Sequence, residues 1–362
     1  MKSLYKKRTD GKLQVWSIEV LDDKFRVTSG IVDGKLVVNN WTTVIGKNIG
    51  KKNETSPEDQ AIKEAQAKHK KHTEEGYTED KTAVDTAAIF RPMLANDYNK
   101  YKDKIVFPVY DNPKYDGIRC IATKKGLRSR NGKEFVAIPH IHKALEEVFK
   151  GFPDLIIDGE LYADKYSENF NKICSLVKRS NPSPEDMDLA KEIKYHVYDC
   201  YDGSDTKYSA RKKFIDRLLR SLPEVMLCKE TKVNNHEELD VLYEKHMEEG
   251  YEGQIIRLDK AYDNKRTNSL LKRKEFKTEE YRILDIVEGI GNRAGTAGYA
   301  ELRTEREIDF KSNFKGDFEF LTEVLENKDN YIGKLATVKY FNKTPGRDIP
   351  RFPYIIAIRD YE

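Results

Sequence analysis

The chain has 362 residues, with 65 Lys and Arg against 62 Asp and Glu, a formal charge of +3. At roughly 150 residues per domain this length predicts two or three domains, and 38% hydrophobic with 35% charged residues is a polar but foldable mixture. No apolar run approaches the ~18 residues that a membrane span needs, and Lys2, Lys6, Lys7 and Arg8 lead into polar sequence rather than a signal-peptide core. A soluble, cytoplasmic protein is expected. With a charge this near zero, any phosphate-binding surface must come from local clustering of basic residues. Cys120, Cys174, Cys200 and Cys228 are scattered without paired spacing, and His140 and His142 have no second ligand pair beside them. This argues against a structural zinc module and predicts thiols packed as small hydrophobes in a reducing compartment.

Residues 1–80 read as a small self-contained unit. Trp16, Ile18 and Val20 alternate with polar neighbours, Phe25 and Val27 do so after the Asp22-Asp23 turn, and Asp33-Gly34 signals a hairpin before Leu36-Val37-Val38. A helix follows, with Ser56 as N-cap, Pro57 at its first position, Glu58 and Asp59 in the first turn and Gly76 as the stop. Tyr77 to Phe90 is polar and rich in Ala and Thr, which marks residues 81–90 as a linker. From Arg91 to Phe276 strand-like segments (Ile105–Tyr110, Ile118–Thr123, Leu155–Ile157) mix with helix-like ones (Ser209–Leu222, Glu237–Glu249). Residues 277–362 look mostly β, with glycine-rich turns around Gly289–Gly298 and a Lys334–Phe341 strand, the size of a small barrel. The expected architecture is α+β in three domains, 1–80, 91–276 and 277–362.

The strongest chemical signal is Pro113-Lys114-Tyr115-Asp116-Gly117-Ile118-Arg119, just after an apolar strand. By itself Lys-x-Asp-Gly is a common surface turn. Its weight comes from the segments that follow in order: Ser129-Arg130-Asn131-Gly132, Asp158-Gly159-Glu160-Leu161, Tyr195-His196-Val197-Tyr198-Asp199, Glu252-Gly253-Gln254-Ile255-Ile256-Arg257 and Leu271-Lys272-Arg273-Lys274. The series resembles the nucleotidyltransferase motifs of ATP-dependent DNA ligases. Arg91-Pro92-Met93-Leu94-Ala95 resembles the opening of their catalytic domain, and Arg351-Phe352-Pro353 with Arg359-Asp360 resembles their final motif. The resemblance covers residues 90–362.

What the resemblance implies can be stated residue by residue. The middle domain would be an adenylyltransferase, ATP-grasp-like with antiparallel sheets and helices, and the last domain an OB-fold barrel. Lys114 would be the nucleophile that takes AMP from ATP, sealing nicks in double-stranded DNA by way of a lysyl-adenylate and a 5′-adenylated strand. An amine attacks phosphorus only when deprotonated, so Lys114 needs a depressed pKa, for which Lys272, Lys274, Arg119 and a bound metal are the candidate causes. Mg²⁺ or Mn²⁺ would neutralise the triphosphate. Glu252 would hold the metal, Glu160 the ribose or the metal, and Asp116 the metal or the reacting termini of the nick. Arg130 suits a phosphate by its planar fork, Arg119 would act near the 3′-OH end or the adenylate phosphate, and Arg266 would bind phosphate. Tyr198 would stack on adenine. Arg351 and Arg359 would orient the leaving pyrophosphate.

The front unit resembles a WGR domain, although Ser29-Gly30-Ile31 stands where Trp-Gly-Arg should be. Lys47, Lys51 and Lys52 are its candidate contacts to DNA phosphates. A monomer is expected, at work in a bacterium or a virus-infected cell. The alternatives are an RNA ligase or an mRNA-capping guanylyltransferase, which would use GTP, and, more remotely, a non-catalytic DNA-binding protein. NAD-dependent ligases are longer and carry a four-cysteine zinc module that has no counterpart here.

Overall fold

The computed structural model describes residues 1–8, 10–85, 90–167, 169–344 and 346–359. Asp360 of the expected final motif, and residues 86–89 of the expected linker, lie outside them. By internal contacts the chain divides into two compact units, one formed by Met1–Ala88 with Phe276–Glu362 and the other by Ile89–Glu275.

The first unit holds two separate cores. In its front part β1 (Leu4–Lys7), β2 (Leu13–Leu21), β3 (Lys24–Ile31), β4 (Leu36–Val38) and β5 (Thr42–Thr43) form one antiparallel sheet. The predicted alternation holds, since Trp16, Ile18 and Phe25 are buried against Ala61 and Ala65 of α1 (Pro57–Glu74). Ser56 caps that helix by accepting from the Asp59 amide, and Glu75 follows its last turn.

The second unit comprises β6 (Leu94–Asp97), α2 (Tyr98–Tyr101), β7 (Val109–Lys114), β8 (Ile118–Thr123), β9 (Gly126–Ser129), α3 (Pro139–Gly151) and β10 (Ile156–Tyr162). Then come α4 (Phe170–Val177), α5 (Pro184–Leu189), β11 (Lys194–Tyr201), α6 (Tyr208–Leu219), β12 (Val225–Leu227), β13 (Thr231–Val233), α7 (His236–Glu248), β14 (Gly253–Leu258) and β15 (Arg266–Arg273). They build two five-stranded sheets, in the orders β12-β11-β10-β8-β9 and β13-β7-β14-β15-β6. Both are mostly antiparallel; the β11–β12 and β15–β6 pairs run parallel. The larger core lies under the first sheet, where Ile141, Leu145, Val148 and Phe149 recur at helical spacing on α3 and meet Ile157 and Leu161. The strand expected over Ile105–Tyr110 begins only at Val109. Residues Lys102–Lys104 turn as a 3₁₀ helix, and Pro108 has no N–H to give to a ladder.

The carboxy-terminal part of the first unit is a closed barrel of β16 (Lys277–Glu288), β17 (Ala297–Arg303), β18 (Asp309–Phe314), β19 (Leu335–Tyr340) and β20 (Tyr354–Arg359). A helix that the sequence reading missed, α8 (Phe318–Glu326), stands between β18 and β19. Its opening Phe-Glu-Phe-Leu alternates like a strand. Asp317 nevertheless caps the Phe320 amide, and Leu321 and Val324, three apart, are the buried positions.

Candidate active site

Register places the chemistry. Lys114, the last residue of β7, lies opposite Gly253, the first of β14, so Glu252 falls beside the lysine. The Glu252 amide donates to the Lys114 carbonyl at 2.8 Å. The side chains meet as well: Lys114 Nζ donates to Glu252 Oε2, and Lys274 Nζ to Glu252 Oε1 at 2.9 Å. One largely buried carboxylate thus joins two ammonium groups. Burial alone would raise Glu252, but Lys114 and Lys274 outweigh it and hold the carboxyl below its ordinary value. The expectation surrounded Lys114 with cations, and the structure adds this counter-charge. Lys272 faces Ile255 across the sheet, its amine lowered by burial and then by Lys274, Lys114 and Arg266.

Two glycines make these approaches possible. A Cβ on Gly253, whose φ is +148°, would sit 2.2 Å from the Arg273 carbonyl oxygen. A Cβ on Gly117 would sit 2.6 Å from Glu160 Cγ and from the Leu161 carbonyl oxygen. The glycines of the Lys-x-Asp-Gly and Glu-Gly segments are thus demanded by backbone contact.

Beside Lys114 opens a cleft with an empty volume of about 900 Å³, part of it open to solvent. Of the predicted residues, Lys114, Arg119, Arg130, Glu160, Tyr198, Arg266 and Lys272 line it. Glu160, on β10 between Arg119 and His196, has its carboxyl pushed up to about 8 by burial, against the pull of Lys114 and Arg119. At neutral pH it is mostly a protonated acid that can donate to a hydroxyl. Arg119 spends its fork on Asp158, Nε to Oδ1 at 2.9 Å and Nη2 to Oδ2 at 2.5 Å, and Tyr262 donates to the same carboxylate at 2.7 Å. Arg266, exposed, donates to the Ala95 carbonyl. Glu252 and Lys274 contact Lys114 or its partner without lining the cleft, and Asp116 lies two residues beyond Lys114, also off the lining.

The remaining predicted residues belong to the other unit. Arg351, in the barrel, has its guanidinium carbon 5.7 Å from the Phe352 ring centre. Arg359 donates to Thr337 Oγ1 at 2.7 Å and pairs with Glu280 at 3.2 Å. In the front part Lys47, Lys51 and Lys52 are exposed, and Lys47 pairs with Glu64 at 2.8 Å.

Among the polar lining residues, sequence reasoning gave no role to Asn112 or Arg257. Asn112 is buried; its Nδ2 donates to the Lys229 carbonyl at 2.8 Å, while its Oδ1 has no partner. Period-two alternation puts residue 112 on the same strand face as Lys114, a signal that was present. Arg257 closes the Glu252–Arg257 segment, but nothing local reveals that it is buried.

A lysine on the wall of a cleft, with basic side chains around it, is an arrangement that suits nucleotidyl transfer. Residues 92–274 match the family model described as ATP dependent DNA ligase domain, half of the chain, so the chain belongs to the ATP-dependent DNA ligase family. It is similar to the DNA ligase of African swine fever virus, 26% identical over 361 residues, an alignment covering 91% of this chain and 82% of the viral one. It is also similar to the DNA ligase of Enterobacteria phage T4, 25% identical over 328 residues and covering 74% of this chain and 67% of the phage one. The solved structure Pmar-Lig_PreS3 shares the fold, with a TM-score of 0.65 and 23% identity over 77% of this chain and 72% of that one. Among the described residues no helix is long and apolar enough to cross a membrane.

Proposed function

We propose that this ligase seals nicks in duplex DNA with Lys114 as the carrier of AMP. Nζ of Lys114, once it has lost its proton, forms a bond to the α-phosphorus of ATP as the bond to pyrophosphate breaks. The 5′-phosphate of the nick then takes AMP from the lysine, and the neighbouring 3′-OH attacks that phosphate and expels AMP. The observation that carries the reading is the Lys114–Glu252–Lys274 contact at the edge of a nucleotide-sized cleft.

The other roles follow from chemistry. Lys272, Arg130 and Arg266 meet phosphates, Tyr198 stacks on the base, and the protonated Glu160 donates to a ribose hydroxyl. Asn112 Oδ1 accepts from the exocyclic amine of adenine, which guanine replaces with an acceptor. Arg119, committed to Asp158, shapes the wall rather than gripping phosphate. Asp116 stays with the reacting ends of the nick.

Among the described residues no group of three or more His, Cys, Asp or Glu side chains could hold a metal ion alone. Mg²⁺ is commonly bound by one or two carboxylates plus substrate phosphates, and the donor set here fits that mode. Glu252 would hold it, with the substrate phosphates completing its shell. When bound, the ion neutralises charge building up on the triphosphate. The closed barrel reads as an oligonucleotide-binding fold that supplies Arg351 and Arg359 to the pyrophosphate. The front part reads as a WGR-like DNA-binding module, with Lys47, Lys51 and Lys52 toward phosphates.

The test is transfer of label. Incubation with α-labelled ATP and Mg²⁺ labels the folded wild-type chain, Lys114→Ala abolishes the label, and the wild type seals a nicked duplex bearing a 5′-phosphate. A folded wild-type chain that takes up no label overturns the proposal.

A further inference from the structure

Strands β10 and β11 pair Asp158 with Asp199 and then Gly159 with Val197, which leaves Tyr198 without a partner across the sheet. A bulge of this kind re-aims the side chain it carries. Tyr198 lines the cleft, while its neighbour Asp199 is fully buried. Arg257, which lines the same cleft, has its guanidinium carbon 4.9 Å from the Tyr198 ring centre and 5.2 Å from that of Tyr208. Arg257 Nη1 donates to Asp199 Oδ2 at 3.1 Å. The same carboxylate accepts from Arg211 Nε at 2.9 Å and Nη2 at 3.0 Å, so one anion serves two buried cations.

Arg257 is 4% exposed, and its Nε has no hydrogen-bond partner. A guanidinium this buried and this incompletely bonded is costly, and an apolar side chain of the same length would fill the space more cheaply. The faces of the two tyrosines are what its charge gains here. Arg119 stands 5.9 Å from the Tyr198 ring centre as well, but Asp158 already takes its fork. Asp199 accepts one hydrogen bond from Arg257 and two from Arg211.

We infer that Arg257 is a positioning residue for nucleotide capture: anchored by Asp199, it fixes the Tyr198 ring at the cleft wall where adenine stacks. This rests on the reading of Tyr198 as the adenine platform. A cation held over an aromatic ring is attracted to its face and so holds the ring's orientation.

The experiment measures the ATP dependence of lysyl-adenylate formation in the full chain, for Arg257→Met, Arg257→Lys, Tyr198→Leu and the double variant Arg257→Met/Tyr198→Leu. Arg257→Met raises the KM for ATP about tenfold, with the rate at saturating ATP within about twofold of wild type, and Arg257→Lys falls between the two. In the double variant the KM is no higher than with Tyr198→Leu alone, because the arginine acts through the ring. If Tyr198→Leu raises KM and Arg257→Met does not, the inference is overturned while the platform reading stands. Additive effects in the double variant, or a fall in the saturating rate at unchanged KM, also overturn it by showing a merely structural role. A Tyr198→Leu variant with wild-type KM removes the platform itself. Circular dichroism and a melting curve check folding. Should Arg257→Met not fold, Arg257→Gln keeps a donor for Asp199 while removing the charge, and carries the same expectation.

Discussion

Replacing Asn112 by leucine tests how the cleft chooses its base. The substitution keeps the side-chain volume close to native and removes both functions of the amide. Loss of the Nδ2 bond removes the partner of the Lys229 carbonyl, on an exposed residue, and a hydrogen bond of this kind contributes about 0.5–1.5 kcal/mol of stability. Loss of Oδ1, which no protein group satisfies, removes the acceptor offered to the adenine amine. A neutral hydrogen bond formed in such a place contributes about 1–1.5 kcal/mol, so the KM for ATP in lysyl-adenylate formation rises about tenfold. Selectivity for ATP over GTP falls with it, because the group that would face the guanine oxygen unfavourably has gone. The assay compares labelling from α-labelled ATP and α-labelled GTP across a concentration series, with urea unfolding run in parallel. An Asn112→Leu enzyme whose KM for ATP stays within twofold of wild type, with undiminished preference over GTP, refutes the assignment of Oδ1 to the base.

Two further outcomes concern stability. His196, buried against Tyr115 and Tyr162, has its ring pKa pushed down to about 4 from 6.5 by burial, with Asp164 pulling weakly the other way. The unfolded chain takes up a proton below about pH 6.5 that the folded chain refuses until about pH 4. This contribution to stability is therefore intact above 6.5 and is lost as pH falls from 6.5 to 4, by about 3 kcal/mol. His196→Phe should flatten the acid limb of denaturant-measured stability in that window, and an unchanged slope would show that the ring is not the cause. Gly253→Ala should lower stability by about 3 kcal/mol or more, since a methyl would overlap the Arg273 carbonyl at a φ of +148°. Chemical denaturation reads the loss, and a variant of wild-type stability would mean that β14 and β15 can part without penalty.

Much of the local structure was legible before any coordinates. The cap at Ser56, the alternation of Trp16 and Ile18 and the strand Ile118–Thr123 all follow from propensity and period, which act between near neighbours. Where two local signals competed, the reading failed: Phe318–Glu326 alternates like a strand yet is capped like a helix, and the helix buries Leu321 and Val324. The apolar run before Val109 suggested a longer strand than Pro108 allows.

The kinds of chemistry expected of this chain were likewise read from order and residue type, because nucleophilicity, phosphate binding and stacking are properties of side chains. Which groups touch was decided by register between strands far apart in sequence. Glu252 reaches Lys114 across 138 residues because Gly253 falls opposite the lysine. Arg119 is drawn to Asp158, Arg257 ends over Tyr198, and the Glu160 carboxyl is pushed up because the sheets bury them together. Charge states and contacts depend on desolvation and on the neighbours that tertiary pairing supplies, and a linear chain carries neither.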